Sequence, residues 1–132
     1  MTDIIIFLLF AMLFCHIVDD YYLQGFLASA KQKDYWKKNY PDELYKYDYI
    51  IALIEHGFSW TFMIHLPVVI VFLTYGITLY RVFISFFINW MIHTITDHLK
   101  ANMKKINLIE DQCVHIIQII ITWVIVVLFS MI

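Results

Sequence analysis

Long apolar runs separated by short polar stretches dominate the chain. The first run, from about Asp3 to Leu23, contains the uncharged stretch IIIFLLFAMLFCHIV between Ile4 and Val18. A second begins near Asp48 and reaches about Tyr75, a third extends from about Leu79 to His98, and a fourth from about Gln112 to Ile132. The hydrocarbon core of a bilayer is about 30 Å thick and takes roughly 20 apolar helical residues to cross. The pattern therefore predicts an all-α protein, a four-helix transmembrane bundle filling residues 1–132 as one integral membrane domain. Pro67 falls inside the second run. It removes a backbone donor, but the two halves it would leave are too short to span, so a kinked helix is expected rather than two helices.

Composition narrows the class further. The chain is 62% hydrophobic and only 15% charged, against about 25% charged in a soluble domain, which excludes a disordered chain. Two cysteines exclude a disulfide framework and a four-cysteine zinc site. A net charge of −2 gives no general case for nucleic-acid binding. Ala28-Ser29-Ala30 has the composition of a signal-peptide cleavage site, but no positive charge precedes the apolar run, so cleavage is not expected.

The basic residues set a sidedness. Lys31, Lys33, Lys37, Lys38 and Lys46 lie between the first and second runs, and Lys100, Lys104 and Lys105 between the third and fourth. Arg81, at the very start of the third run, is the one basic residue near the connection between the second and third. The positive-inside rule then makes the two basic loops cytoplasmic and sends both termini outward, as expected of a multi-pass protein of the cytoplasmic (inner) membrane. In the first loop, lysines alternate with Tyr35, Trp36, Tyr40, Tyr45, Tyr47 and Tyr49. An interfacial belt against anionic lipid accounts for this, and a docking surface for a phosphate-bearing substrate is the alternative.

Ionisable groups inside a span are expensive, so their placement is informative. His16 and Asp20, His93 and Asp97, and Asp111 and His115 are each four residues apart, on one helical face. Asn89 and Lys100 continue the His93 stripe, and Gln118 continues that of His115. Glu55 and His56 lie about two turns into the second run. Because the helices alternate in direction, all of these reach one depth near the cytoplasmic face. Neutral imidazoles and carboxylates converging in a bundle suit zinc, iron or manganese. A hydrogen-bonded polar core and a proton or ion relay are the other readings. The expected metal residues are His16, Asp20, His56, His93, Asp97, Asp111 and His115, either around two ions or with several orienting the rest. Asp19 competes with Asp20. His65 lies on the opposite side of its helix, beside Pro67, and is expected to be structural. His98 is expected in solvent. Cys15 and Cys113 point off the histidine stripes.

His16-Ile-Val-Asp-Asp20-Tyr21-Tyr22-Leu23-Gln24 resembles the H-x-x-x-D-[FY]-x-L-Q signature of a family of small phage and bacterial membrane proteins of unknown function. That family's other marks are a lone His in the second span, H-x-x-x-D in the third and D-Q-x-x-H in the fourth. They correspond here to His56, to His93 and Asp97, and to Asp111, Gln112 and His115. Asp19 departs from the pattern, which has a small residue there. The family is similar in layout to membrane-bound metal-dependent hydrolases, some of them under SOS control. The resemblance implies a divalent-metal hydrolase and a phage origin.

The expected function is thus a metal-dependent hydrolase acting at the membrane face on a lipid-like or phosphate-bearing substrate. Zinc is the favoured ion, Asp97 the candidate base, and Lys100 the group that would hold a phosphate or carboxylate. The bilayer is its expected partner and a homo-oligomer is open. The alternative is a non-enzymatic membrane protein: a small transporter, a proton or metal conductor, or a phage factor modifying the host envelope. The apolar outer parts of the first and fourth runs, Ile4 to Phe14 and Ile119 to Phe129, favour a one-sided pocket over a pore.

Overall fold

A computed structural model describes residues 2–75 and 80–128. Leu79, at the start of the third expected span, and residues 129–132, at the end of the fourth, lie outside the described residues. The regular structure among the described residues is helical throughout. Helix α1 (Thr2–Val18) runs on into a π-helical turn, Asp19–Leu23. Two short helices follow, α2 (Leu27–Ala30) and α3 (Lys33–Asn39), then a 3-10 turn, Glu43–Tyr45. The long helices α4 (Asp48–Tyr75), α5 (Tyr80–Ala101) and α6 (Leu108–Thr122) complete the chain, and α6 continues as π-helical turns through Trp123–Leu128. Three stretches, Asp3–Leu23, Glu43–Thr74 and Leu108–Ile125, are long and apolar enough to cross a membrane. Helix α5 has the length, at 22 residues, but Asn89, His93 and Asp97 lower its apolar content.

Local chemistry explains the boundaries. Helix α6 begins a turn before Gln112 because Asn107 caps it. The Asn107 side chain accepts from the backbone N–H groups of Ile109 and Glu110, while Glu110 Oε2 accepts from Asn107 N. Pro67 lies within an unbroken α4, as the length of the run requires. Helix α4 packs against α1 and α5, and α6 packs against α5 and α1. Gly57 makes the α4–α5 approach possible: a Cβ there would stand 2.2 Å from Thr94 Oγ1. At the opposite end from the lysine-rich loops, Trp123 Nε1 donates to the Ile5 carbonyl at 2.8 Å, tying α6 to α1.

The distribution of polarity is inverted relative to a water-soluble domain. Phe7, Phe10, Phe14, Phe58, Phe62 and Phe83 point outward, while five histidines and four aspartates of the bundle are buried. Such an exterior is suited to lipid, and inward-facing ionisable groups are what a membrane bundle tolerates. The interior is divided along its length. Leu8, Met12, Ile64, Val68, Phe72, Val82 and Ile119 fill one part, and the ionisable residues fill the other.

Helices α2 and α3 cover the ionisable end. Lys33 N donates to Asn102 Oδ1 at 2.6 Å, and Asn102 Nδ2 returns a bond to the Lys31 carbonyl at 3.0 Å. An exposed Lys104–Asp34 pair at 2.8 Å adds to this clasp, and the Lys104 ammonium holds the Asp34 carboxyl below its ordinary value. The two basic loops therefore meet at one end. The aromatic residues between the lysines pack on each other, with Trp36, Tyr40 and Tyr45 ring centroids 5.4–6.4 Å apart. They frame a recess of about 280 Å³ with Lys33, Lys37 and Lys46.

Candidate metal centre

Each long helix brings ionisable residues to one depth through the four-residue spacing. Helix α5 supplies His93 and Asp97, α6 supplies Asp111 and His115, α4 supplies His56, and α1 with its π turn supplies His16, Asp19 and Asp20. In a regular helix Asp19 and Asp20 would diverge by about 100°. The π turn, closed by Gln24 N–H to the Asp19 carbonyl at 3.2 Å, lets both face inward. Both aspartates are buried beside His56, with different neighbours, and Asp20 is the one that falls in a group able to hold a metal. Asp20 Oδ1 lies 3.5 Å from His56 Nε2. Asp19 Oδ1 accepts from Ser59 at 2.6 Å, and its Oδ2 faces His56 Nδ1 at 4.0 Å.

Two groups have the geometry to hold a metal ion, and they share one residue: Asp20, His56 and His93, and His93, Asp97 and His115. His93 Nε2 lies 3.3 Å from His56 Nε2. Asp97 faces both groups, with Oδ2 at 3.2 Å from His56 Nε2 and Oδ1 at 3.4 Å from His115 Nε2. Asp111 Oδ1 is also 3.4 Å from His115 Nε2. All of these residues are at most 8% exposed.

The surrounding hydrogen bonds fix which ring nitrogens are free. Gln118 Nε2 donates to the carbonyl and Oδ1 oxygens of Asn89, both at 3.1 Å. This turns Gln118 Oε1 toward His115 Nδ1 at 3.3 Å, so Nδ1 carries the proton. The lone pair of neutral His115 then sits on Nε2, aimed between Asp97 Oδ1 and Asp111 Oδ1. Three acceptors converge there, and neither His115 Nε2 nor Asp111 Oδ1 has a hydrogen-bond partner. A cation placed among them removes the conflict, so these residues fit a divalent ion.

His16 has a different role. The Trp60 indole, which can only donate, gives its N–H to His16 Nδ1 at 2.8 Å. The His16 proton is therefore on Nε2, where it donates to Gln112 Oε1 at 3.1 Å. Gln112 Nε2 in turn donates to Asp20 Oδ2 and Asp111 Oδ2, each at 3.2 Å. With both ring nitrogens engaged, His16 stands outside the two metal groups and braces the aspartates that adjoin them.

Charge is compatible with a cation there. The buried carboxylates of Asp19, Asp20, Asp97 and Asp111 face two ammoniums. Lys31 Nζ lies 2.5 Å from Asp97 Oδ2, and Lys100 is paired with Asp111 Oδ2. With neutral imidazoles the cluster carries a formal charge of −2, which either one divalent cation or protons on two of its imidazoles balance. Uncompensated charge in such surroundings is strongly unfavourable.

No family model, curated protein or solved structure matches this chain.

Of the residues singled out in the sequence, Asp20, His56, His93, Asp97, Asp111 and His115 come together at the core of the site, and Lys100 reaches it through Asp111. Glu55 is exposed on the outside of α4. His65 is buried but separate, bonded to the Thr61 carbonyl and to Ser85 Oγ, each at 2.8 Å. His98 is not in open solvent: α5 continues to Ala101, and the ring stacks on Tyr49 with centroids 6.2 Å apart. Cys113 is exposed and Cys15 half-buried. Two contributors, Trp60 and Lys31, went unrecognised in the sequence, and Gln112 was marked there only as part of the D-Q-x-x-H motif. Trp60 is fully buried and stacks on His93 at 4.1 Å. Its position one turn after His56 was a usable signal. Gln112 follows Asp111 directly. Lys31 comes from the covering segment, and no periodicity marked it.

Proposed function

We propose that this chain is a four-span protein of the cytoplasmic membrane, with both termini outside, whose His/Asp centre binds a divalent metal ion and hydrolyses a lipid-like or phosphate-bearing substrate. One observation carries the proposal. His115 Nε2, Asp97 Oδ1 and Asp111 Oδ1 converge within 3.4 Å of the nitrogen, buried and without a proton donor between them. The meeting of both lysine-rich loops at one end supports the sidedness. The apolar packing of Leu8, Val68 and Phe72 beyond the site supports a closed pocket rather than a conduction path.

A bound divalent cation, zinc in the first instance, supplies a water acidic enough to react near neutral pH. The attacking water oxygen bonds to the carbonyl carbon or phosphorus, the ester bond to the leaving oxygen breaks, and that oxygen takes up a proton. Asp97 would accept the proton released by the water on Oδ2, beside Lys31 and His56, and pass it to the leaving oxygen. Lys100, paired with Asp111, is the ammonium that would turn to the anionic oxygens of the substrate. His16, Gln112 and Gln118 keep the participating groups oriented.

Elemental analysis of protein purified in detergent without chelator tests the metal. The expected content is about one or two divalent ions per chain, lost in His93→Ala and His115→Ala and kept in His65→Ala. Equal content in all three variants, or none in the parent, would remove the metal centre. The absence of metal in the parent would leave a proton-bridged His/Asp core in a non-enzymatic membrane protein.

A further inference from the structure

The residues of the two metal groups are buried, and the covering segment closes them from the loop end through Lys31–Asp97 and the Asn102 bonds. A groove of about 620 Å³ between α1 and α6 approaches them from the side. Its walls are apolar, formed by Leu13, Ile17 and Ile116, and Tyr21 and Tyr22 lie at its loop end. Its floor is polar: His16 and Gln112. Gln112 is the residue whose amide touches Asp20 and Asp111, so the groove stops one side chain short of the site. A second groove, about 450 Å³ between α5 and α6, meets Gln118 and Asn89. These lie behind His115, on its Nδ1 side, away from the carboxylates.

We infer that the α1–α6 groove is a lateral entrance through which a phospholipid of the bilayer reaches the site, its polar head at the His16–Gln112 floor and its acyl chain along Leu13, Ile17 and Ile116. The inference rests on the hydrolase reading and names its substrate class. The match is chemical. The walls suit a hydrocarbon chain, and from Leu13 to Tyr21 they run about 12 Å along the helix. The floor offers an N–H donor, because Trp60 fixes the His16 proton on Nε2, whereas the Gln112 amide is already spent on Asp20 and Asp111. Ester and phosphate oxygens accept from such a donor. An oxygen that takes over the His16 Nε2–H bond releases Gln112 Oε1 and so opens the partition between groove and site. A soluble phosphate would gain nothing from the apolar walls.

The test uses the full-length protein in vesicles containing phosphatidylglycerol with a photoreactive diazirine on the head-proximal part of its acyl chain, with zinc measured on the same samples. Labelling of residues 13–22 and 112–116 is expected to exceed that of Phe83, Phe87 and Met91, on the outer face of α5, at least fivefold. Ile17→Trp, which fills the groove from a lipid-facing position, is expected to cut that labelling at least fivefold and leave zinc content unchanged. Excess glycerol phosphate is expected not to compete. Even labelling of both faces in the parent, labelling insensitive to Ile17→Trp, or competition by glycerol phosphate would each overturn the entrance. The parent's labelling pattern decides the matter by itself if the variant does not fold. Groove labelling in a parent devoid of metal would instead strike the hydrolase reading and with it the substrate role, leaving only a lipid-binding groove.

Discussion

Gln118 touches no atom of the two metal groups other than the back of the His115 ring, yet the geometry makes it decisive for them. Replacing it by leucine keeps the volume but removes three hydrogen bonds, one to His115 Nδ1 at 3.3 Å and two to Asn89 at 3.1 Å. The proton of His115 is then free to move to Nε2, the nitrogen that must stay unprotonated to bind a cation. Groups that orient a metal-binding imidazole in this way typically contribute about 10–100-fold in metal affinity. A tenfold loss corresponds to about 1.4 kcal/mol, in line with one net hydrogen bond of about 0.5–1.5 kcal/mol. Zinc titration against a competing chelator in detergent measures this directly. Thermal unfolding gives a second readout, since metal at 100 times its dissociation constant adds about 2.7 kcal/mol to stability, and a tenfold weaker site forfeits about half of that. Parental affinity in Gln118→Leu would refute the tautomer argument. Loss as complete as in His115→Ala, with the fold intact, would mean that Gln118 is itself a ligand.

Further outcomes follow from other contacts. Gly57→Ala is expected to lower the melting temperature, because overpacking of about 1–3 kcal/mol outweighs the helix-propensity gain of about 1 kcal/mol, and adding Thr94→Ala should restore much of the loss. Full stability of the single variant would show that α4 and α5 do not approach this closely. Trp60→Phe removes the donor to His16 Nδ1 and is expected to weaken zinc binding less than His93→Ala does, read by the same chelator competition. Tags at either terminus should be reachable by impermeant reagents only from outside the cell, and a cytoplasmic terminus would break the four-span arrangement.

The recurrent spacing of four was readable because an α-helix converts it directly into a shared face, and alternating helix directions convert three such pairs and His56 into a shared depth. Periodicity does not report which atom of a side chain is already engaged. His16 matches His93 in pattern, yet Trp60 and Gln112 occupy both its nitrogens. Asp19 and Asp20 were indistinguishable in sequence because the π turn that admits both has no residue signature. Lys31 was hidden for a different reason: its burial comes from the docking of a covering segment through Asn102, a contact between residues about seventy positions apart. The lysine-rich loops were legible as a charge asymmetry, whereas their aromatic packing depends on a turn at Glu43–Tyr45 that hydrophobic patterning does not announce.

Helix α5 carries the heaviest polar load of the long helices, and its composition alone does not mark it as a span. Asn89 bonds to Thr122 and Gln118 of α6, and His93 meets His56 of α4, so its polar groups are accommodated only by its neighbours. A nascent α5 entering lipid by itself would have to carry those groups uncompensated. In the four-span arrangement proposed above its insertion during synthesis is conditional: α4 must already be in place, and α5 is retained firmly once α6 has emerged from the ribosome. A chain truncated after Ala101 should leave α5 slipping back toward the aqueous side, which makes assembly of this protein a late, cooperative event rather than the stepwise threading of independent segments.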